Sequence, residues 1–269
     1  MSFFVLGLTI GGLSGLALTG IVAVVAYRRM ARLQHRANRA ERLAELGALT
    51  GGLAHEIKNP LSTVQLNLQL LREDITPQDV GPVTHSRLVN RLTTVQRETG
   101  RLREILDDFL RYAGRIELEK RPVDIQQMFE DLVDFFAPQA QLQRVQLTVR
   151  PTAPNEGGLT ILVDDRLIKQ AVLNLMINAL QAMPANGGEI VLSAEREGSR
   201  VKIQVADTGV GIPPESLAKI FDVYFSTKKG GTGLGLAITR RIAEEHGGVV
   251  HARSEVGKGS VFSIEVPAR

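Results

Sequence analysis

The sequence predicts a membrane-anchored multidomain chain with one transmembrane helix, an all-α helical hairpin that dimerises to a four-helix bundle, and a C-terminal α/β sandwich. Three patterns predict it: an uncharged apolar run at the start, helical apolar spacing in the middle, and short alternating segments between glycine-rich motifs at the end. A chain of 269 residues also exceeds the usual length of one domain. We therefore expect a transmembrane helix at 1–27, a basic helical linker at 28–42, a hairpin domain at 43–115 and a C-terminal domain at 116–269.

The composition excludes several classes of site. The chain has no cysteine, so disulfides and cysteine-based zinc sites are excluded. The net charge is only +3, and much of the positive excess lies between Arg28 and Arg42. Because the rest of the chain lacks a basic stripe, nucleic-acid binding is not expected.

Residues 3–27 contain no charged side chain. At 1.5 Å per residue, such a helix is long enough to cross a hydrocarbon core of about 30 Å. A cleaved signal peptide is the alternative, but the run is long for one and no basic residue precedes it. Five arginines follow and place the C-terminal side in the cytoplasm: Arg28, Arg29, Arg32, Arg36 and Arg39.

We therefore predict a single-pass protein of the cell (inner) membrane whose C-terminal part is cytoplasmic. Only Met1 and Ser2 would lie on the far side, so no extracytoplasmic sensory domain is expected. A signal would then arrive through the bilayer, the cytoplasm or a membrane partner protein. Gly7, Gly11 and Gly15 form a stripe on which another helix could pack closely, although glycine is also common in membrane helices generally.

Two series of apolar residues at helical spacing predict the hairpin. The first contains Leu46, Leu49, Leu53, Ile57, Leu61, Val64, Leu68 and Leu71, and the second contains Leu88, Leu92, Val95, Thr99, Leu102, Leu106, Phe109 and Ala113. Pro77, Gly81 and Pro82 separate the two series. Each apolar seam is narrow, so a homodimer that forms a four-helix bundle would bury both.

The segment HEIKNPL, residues 55–61, places His55 beside the first seam, where it should face solvent. A neutral imidazole has a free lone pair, and the adjacent carboxylate of Glu56 can orient its other N–H. His55 is therefore a candidate nucleophile toward phosphorus, and the alternative is an ordinary surface histidine. Pro60 removes a backbone hydrogen bond and should bend the helix here.

After Gly114 the pattern changes to short strands and helices. Strands are expected at 144–149, 159–163, 189–194, 201–206, 249–253 and 260–266, and helices at 164–183, 218–224 and 233–245. Strands grouped with helices on one face predict an α/β sandwich.

Two glycine-rich motifs predict a nucleotide pocket in this domain. In DTGVGI, residues 207–212, Asp207 ends a strand, and its carboxylate could accept a hydrogen bond from an exocyclic amine such as that of adenine. In GGTGLGLAI, residues 230–238, free backbone N–H groups and a helix N-terminus could bind phosphate. The glycine spacing differs from the dinucleotide-binding fingerprint, which disfavours a Rossmann fold.

Polar side chains near these motifs could complete the pocket. Asn174 and Asn178 lie one turn apart on one predicted helix, where their oxygens could hold Mg²⁺ against phosphates, although a cap or packing role is the alternative. Residues 213–229 have the length of a lid. Its Lys228 and Lys229 could meet phosphate charge or be ordinary surface residues.

Five blocks in this order resemble the motifs of the sensor histidine kinases of two-component systems, over residues 41–269. HEIKNPL resembles the H box, NLMINALQAMP the N box, DTGVGIP the G1 box, FDVYFSTKKG the F box, and GTGLGLAI with the following HGG the G2 region. The sequences of the N and F boxes are most similar to those of the nitrogen-regulation branch of the family.

This resemblance implies a dimerisation and histidine phosphotransfer domain at 43–115 and a catalytic ATP-binding domain of the Bergerat fold at 116–269. The implied site residues are His55, Glu56 and Asn59 for catalysis; Asn174, Asn178, Asp207, Gly209, Gly211, Lys228, Gly231, Thr232, Gly233, Leu234 and Gly235 for ATP; and Asn174 and Asn178 for Mg²⁺.

The resemblance also implies a reaction. His55 would attack the γ-phosphate of ATP, Glu56 would orient the ring and take its proton, and the phosphoryl group would pass to an aspartate of a response regulator. Asn59 matches the position that aligns a hydrolytic water when such kinases dephosphorylate the regulator. Many relatives carry a basic residue where this chain has Gln181, so Lys228 or Lys229 could replace that contact.

Two other functions stay open at this point. The same ATP-binding fold serves gyrase and chaperone relatives, which hydrolyse ATP without a phosphohistidine. Asn174 stands where those ATPases generally use glutamate, which argues against that reading. The other alternative is a signalling scaffold that only dephosphorylates its partner.

Overall fold

The computed structural model describes residues 53–54, 57–71, 82–114, 116–151, 159–228 and 231–268, with side chains from Ser86 onward in the segment that begins at 82. Across these ranges, no helix combines the length and the apolar character that a membrane crossing requires. The predicted spanning helix at 3–27, its glycine stripe and the basic linker at 28–42 lie outside the described residues. Membrane anchoring therefore stays a prediction.

Two long helices form the hairpin part of the chain. Helix α1 covers residues 57–71 and includes Pro60, and helix α2 covers Pro82–Ala113. Of the predicted seam residues, Leu68, Leu92 and Leu106 are about half exposed in the single chain, whereas Ile105, which belongs to neither predicted series, is fully buried. Exposed leucines at helical spacing are what a partner helix would cover.

In the described part of the chain after α2, the structure has seven strands and four further helices. They are β1 (Arg121–Asp124), α3 (Ile125–Leu142), β2 (Val145–Val149), β3 (Thr160–Val163), α4 (Asp165–Gln181), β4 (Gly188–Glu197), β5 (Arg200–Asp207), α5 (Pro214–Leu217), α6 (Gly235–Glu245), β6 (Val249–Glu255) and β7 (Gly259–Pro267). The order of the main sheet is β2-β4-β5-β7-β6, and only the β2–β4 pair is parallel. Strands β1 and β3 form a separate antiparallel pair.

Helices α3, α4 and α6 pack on the main sheet and bury its apolar face. Strand β5 shows the required alternation, because Val201, Ile203 and Val205 are buried and the residues between them are partly exposed. The predicted α/β sandwich is confirmed. Its core lies between this sheet and the helix layer.

Helix α3 and strand β1 were not predicted from the sequence. The side chain of Asp124 caps α3 by accepting hydrogen bonds from the N–H groups of Gln126 and Gln127. The buried side of α3 follows helical spacing through Ile125, Met128, Phe129, Leu132, Phe136 and Ala140. The cap and this spacing together were the signal available in the sequence.

The predicted helix at 218–224 is wrong. The helical turn comes earlier, at Pro214–Leu217, and residues 218–224 form successive turns. Hydrogen bonds from Lys219 N–H to the Ser216 carbonyl and from Asp222 N–H to the Lys219 carbonyl span three residues each. Tyr224 ends the segment in a left-handed conformation with φ of 63°, which a continuing α-helix does not allow.

His246 joins the end of α6 to the start of α4. Its buried ring accepts a hydrogen bond at Nε2 from the backbone N–H of Asp164 (3.0 Å), and its Nδ1 lies 2.8 Å from the carbonyl oxygen of Ile242. Because a backbone N–H can only donate, Nε2 must be unprotonated, so the ring is neutral with its proton on Nδ1. Burial lowers the pKa of His246 from its ordinary 6.5.

We expect protonation of His246 to destabilise the fold. Since its pKa in the folded chain is below the ordinary 6.5, its contribution is complete above pH 6.5 and is lost as the pH falls from there through the folded value. At neutral pH, His246→Gln should lower the free energy of unfolding by about 1–3 kcal/mol, because the Asp164 N–H loses a well-placed acceptor.

Urea unfolding of wild type and variant at about pH 7.5 and about pH 5.5 measures both effects. The wild type should lose more stability on acidification than His246→Gln. The exposed His251 supplies the control, and His251→Gln should follow the wild type. Equal pH dependence of the wild type and His246→Gln would contradict the prediction.

Candidate functional site

A cavity of about 690 Å³ lies between α4, the strand end at Asp207, the turns after α5 and the start of α6. It brings together nine of the residues predicted to bind a nucleotide: Asn174, Asn178, Asp207, Gly211, Lys228, Gly231, Thr232, Gly233 and Gly235. These residues come from four sequence blocks, the N, G1, F and G2 motifs. The fold thus brings residues that are distant in the sequence to one cavity.

Asp207 is a carboxylate held at the wall of this cavity. It is the last residue of β5, is only 7% exposed, and accepts a hydrogen bond at Oδ1 from the N–H of Gly209 (2.8 Å). Burial raises the pKa of Asp207, and hydrogen bonds from Gly209 and Ser260 act in the opposite direction. A buried acceptor at a strand end suits a ligand that brings its own N–H donor.

Apolar side chains form much of the remaining wall. Ile177, Ile212, Ile220, Phe225, Leu236 and Phe262 line the cavity together with Asp207. Sequence reasoning did not identify them, because a single apolar residue at a cavity looks the same in a sequence as one in a core. Apolar side chains beside a buried carboxylate acceptor suit a planar heterocycle that carries an N–H donor.

The two asparagines of α4 face the cavity from one side of the helix. Asn174 donates from Nδ2 to the carbonyl oxygen of Gly235 (3.2 Å), which leaves the amide oxygen as its acceptor. Asn178 accepts at Oδ1 from the ammonium group of Lys228 (3.2 Å). A cation therefore already contacts one of these amide oxygens. Amide oxygens are hard donors of the kind that fit Mg²⁺, which binds through few protein ligands.

Lys228 reaches α4 from the predicted lid. Besides Asn178 Oδ1, its Nζ donates to the carbonyl oxygen of Asn178 (3.3 Å) and to Oε1 of Gln181 (2.9 Å). Partial burial at the cavity lowers the pKa of Lys228, and the charge of Asp207 acts in the opposite direction. Lys229 lies outside the described residues.

Two of the predicted binding residues do not line the cavity. Gly209 does not line the cavity, and its N–H is bonded to Asp207. Leu234 is fully buried in the core, directly before α6. The side chain of Leu234 therefore does not line the cavity, and its part in nucleotide binding stays a prediction.

The catalytic residues predicted in the H box are described only in part. His55 and Glu56 lie outside the described residues. Asn59 is an exposed residue of α1, its carbonyl oxygen accepts a hydrogen bond from Thr63 Oγ1 (3.3 Å), and it is not part of the cavity wall. Asn59 therefore does not belong to the cavity, and its catalytic role stays a prediction.

Helix α2 contributes a wall that sequence reasoning missed. Glu104, Asp107, Asp108 and Arg111 line the cavity from one face of α2. The hydroxyl of Thr232 donates to Asp108 Oδ2 (3.0 Å), and burial raises the pKa of Asp108. The polar stripe at spacings of three and four was visible in the sequence, but nothing local indicated its contact with the glycine motif.

Arg241 of α6 closes this contact at the end of α2. Its guanidinium donates to the carbonyl oxygens of Gly114 (2.6 Å) and Arg111 (3.4 Å) and lies over the ring of Tyr112 at 5.7 Å from the ring centroid. These carbonyls belong to the C-terminal end of α2, where a positive charge is favourable. The two parts of the chain are therefore joined beside the cavity.

Two family descriptions match the chain. "His Kinase A (phospho-acceptor) domain" matches residues 45–116, and "Histidine kinase-, DNA gyrase B-, and HSP90-like ATPase" matches residues 163–269. Among solved structures, the catalytic domain of the histidine kinase ThkA is 32% identical, with 56% of this chain and 96% of that chain covered and a TM-score of 0.50. The chain belongs to the sensor histidine kinases of two-component systems.

Further sensor histidine kinases match both parts of the chain. Sensor histidine kinase ZraS of Klebsiella oxytoca is 35% identical over 92% of this chain and 52% of its own length. ThkA in complex with the response regulator protein TrrA is 28% identical, with 86% of this chain and 64% of that chain covered and a TM-score of 0.69. Full-length ShkA in complex with AMPPNP is 30% identical, with 80% and 44% covered and a TM-score of 0.59. This kinase chain spans about half the length of the curated relatives that it matches.

Gly211 of the kinase G1 motif should tolerate no side chain. Its φ is +73°, and a Cβ there would lie 2.2 Å from the carbonyl oxygen of Glu255 in β6. We expect Gly211→Ala to lower the melting temperature by several degrees, at a cost of about 2 kcal/mol or more, because both the backbone and β6 must shift.

Gly235 is the matched control, because it lines the same cavity and a Cβ there would meet nothing within 4 Å. Gly235→Ala should melt close to the wild type. Circular dichroism melts of the wild type and the two variants measure the three melting temperatures to be compared. A Gly211→Ala protein as stable as Gly235→Ala would contradict the steric argument.

Proposed function

We propose that this chain is an ATP-dependent sensor histidine kinase that phosphorylates its own His55, passes the phosphoryl group to an aspartate of a response regulator, and also dephosphorylates that regulator. One observation carries the proposal: a single cavity joins a buried carboxylate, a cation-binding asparagine and glycine-rich turns beside a helix of the phosphoacceptor domain. This arrangement supplies a nucleotide site next to the domain that carries the candidate nucleophile.

ATP is the proposed phosphoryl donor. The buried carboxylate of Asp207 would accept a hydrogen bond from the exocyclic amine of adenine, and the apolar wall would contact the ring. The glycine turns at Gly231 and Gly233 border the same cavity and leave room for phosphates beside exposed backbone. ShkA bound to AMPPNP supports an adenine nucleotide as the ligand.

Asn178 and Asn174 would hold Mg²⁺. Asn178 Oδ1 already accepts from a cation, and Asn174 keeps its amide oxygen as an acceptor. Bound Mg²⁺ would supply charge neutralisation on the phosphates. The protein's own part is to position those oxygens on the rigid helix α4, one turn apart.

The proposed reaction takes place at His55. The imidazole nitrogen lone pair would form the N–P bond while the bond from the γ-phosphorus to the bridging oxygen breaks and ADP leaves. Glu56 would orient the ring and take the proton from its other nitrogen. Asn59, exposed on α1, would align a water when the regulator is dephosphorylated.

We propose two protein partners. The half-exposed seam leucines of α1 and α2, such as Leu68 and Leu92, support a homodimer that forms a four-helix bundle. The likeness to ThkA in complex with TrrA supports a response regulator as the acceptor of the phosphoryl group. The regulator would dock on the hairpin close to His55.

We further propose that residues 1–27 anchor the kinase in the cell inner membrane as a single pass. Residues 28–42 would continue as a basic helix into the phosphotransfer domain at 43–115, and 116–269 would be the cytoplasmic catalytic domain. The uncharged run at 3–27 and the arginines after it support this topology. A membrane partner protein could then supply the signal.

Autophosphorylation of His55 is tested with γ-labelled ATP. We expect label that is stable to alkali and lost in acid, and we expect His55→Gln to remove it because the nucleophile is gone. His251→Gln, a change at an exposed histidine of β6, should label like the wild type. Label that persists in His55→Gln would refute His55 as acceptor, and ATP hydrolysis without any label would favour the ATPase alternative.

Asp207→Asn tests the adenine contact. Asparagine keeps an acceptor oxygen for Gly209 N–H but loses the carboxylate charge, so we expect AMPPNP to bind about tenfold more weakly. In the wild type, binding should weaken as the pH falls through the raised pKa of Asp207, because the protonated group is a poorer acceptor.

Isothermal titration calorimetry measures both effects. Asp222→Asn, at an exposed aspartate outside the cavity wall, is the matched control and should leave affinity unchanged. Equal affinity in Asp207→Asn and wild type would rule out the carboxylate as the base-recognition group.

A further inference from the structure

The last turn of α4 holds a cation that comes from another part of the chain. Three oxygens of this turn accept from the Lys228 ammonium group: the Asn178 carbonyl oxygen at 3.3 Å, Asn178 Oδ1 at 3.2 Å and Gln181 Oε1 at 2.9 Å. We refer to these three atoms as the α4 cradle. The shortest of the contacts is the one to Gln181.

The electrostatics of the helix explain why a lysine side chain binds at the last turn of α4. The C-terminal end of a helix carries partial negative charge on its last carbonyl groups, and a cation nearby is stabilised. Helix α4 has no basic residue in its own last turn. Lys228 supplies that charge across the fold, from 50 residues further along the chain than Asn178.

The lid is bent so that Lys228 can reach the cradle. The N–H of Lys228 donates to Ser226 Oγ (3.2 Å), and its carbonyl oxygen accepts from the N–H of Gly231 (3.3 Å). These local bonds shape the turn at the lid. The ammonium group then connects this turn to α4 through three hydrogen bonds.

The cradle and the proposed metal site share one atom. Asn178 Oδ1 is the oxygen proposed to bind Mg²⁺ and the oxygen that Lys228 now contacts. Two cations on one amide oxygen would repel each other strongly at such short range. When Mg²⁺ takes Asn178 Oδ1, Lys228 must therefore give up that contact. It keeps the shorter bond to Gln181 Oε1 and the longer one to the Asn178 carbonyl oxygen, so Gln181 is the one side chain of the cradle that still holds it.

We propose that Gln181 is a positioning residue that retains Lys228 at the nucleotide site when Mg²⁺ occupies Asn178. Gln181 would act through Lys228, whose charge then meets the phosphates, and not by touching the nucleotide itself. This inference rests on the proposed function, because it assumes that the cavity binds ATP with Mg²⁺. The proposal thus gives a functional role to Gln181, a residue with a neutral, exposed side chain. That role depends on Lys228 in the lid.

The contact is testable without nucleotide. Amide hydrogen exchange of the lid segment, followed by mass spectrometry, should be faster in Gln181→Leu, because the lid loses its shortest bond to α4. Gln181→Glu keeps an acceptor oxygen and should exchange like the wild type or more slowly. Gln139→Leu, at an exposed glutamine of α3, controls for the chemical change and should have no effect. Unchanged lid exchange in Gln181→Leu would overturn the proposal.

A double-mutant cycle tests the role at the nucleotide site. In calorimetric titrations with AMPPNP and Mg²⁺, Gln181→Leu and Lys228→Gln should each weaken binding by about 3- to 10-fold, and Gln181→Glu should retain affinity. Because Gln181 acts through Lys228, the double variant should bind about as weakly as Lys228→Gln alone.

The outcomes separate the two levels of inference. Losses that multiply in the double variant, or wild-type affinity in Gln181→Leu, would overturn the positioning role while the kinase assignment stands. If the wild type itself fails to bind AMPPNP with Mg²⁺, the proposed function falls, and the positioning role falls with it.

Discussion

Burial of one face of α4 against the main sheet is the constraint on which the rest of the site depends. Ile168, Leu175 and Met176 are fully buried, so the helix has no freedom to rotate or slide without opening the core. Because helical spacing is fixed, the same packing turns Asn174 and Asn178 toward the cavity. The apolar face therefore determines where the polar face can bind a cation. A site built in this way remains in position before any ligand arrives.

Charge is distributed around the cavity in opposing groups. Asp207 and the α2 carboxylates carry negative charge, while Lys228 and Arg111 carry positive charge on the same walls. A triphosphate entering this space would be repelled by the acidic face of α2 and attracted by Lys228. The bond between Thr232 and Asp108 thus joins the glycine-rich turn to the helix whose charge would oppose phosphate.

Sequence reasoning succeeded where the signal is local. The Asp207 motif and the periodicity of α4 predicted the strand end and the helix, since turn residues and helical spacing act over a few positions. It failed at α3, where Pro138 interrupts the helical signal that follows the Asp124 cap, and at 218–224, where apolar spacing suggested a helix but the chain forms turns. The polar stripe of α2 was readable as helical, but not as a cavity wall, because its contact lies 124 residues away at Thr232.

The sequence by itself determined the order of the two matched domains, most helices and strands of the C-terminal domain, and the glycine turns, and it singled out the candidate nucleophile, His55. Each of these features depends on residues that are close together in the sequence, whose types and spacing set the local backbone conformation. Only the tertiary structure decided that Lys228, and not an adjacent residue of α4, provides the cation at Asn178 and Gln181. That choice depends on how the lid bends and how far its lysine reaches, because contacts between distant segments form only when packing has brought the segments together.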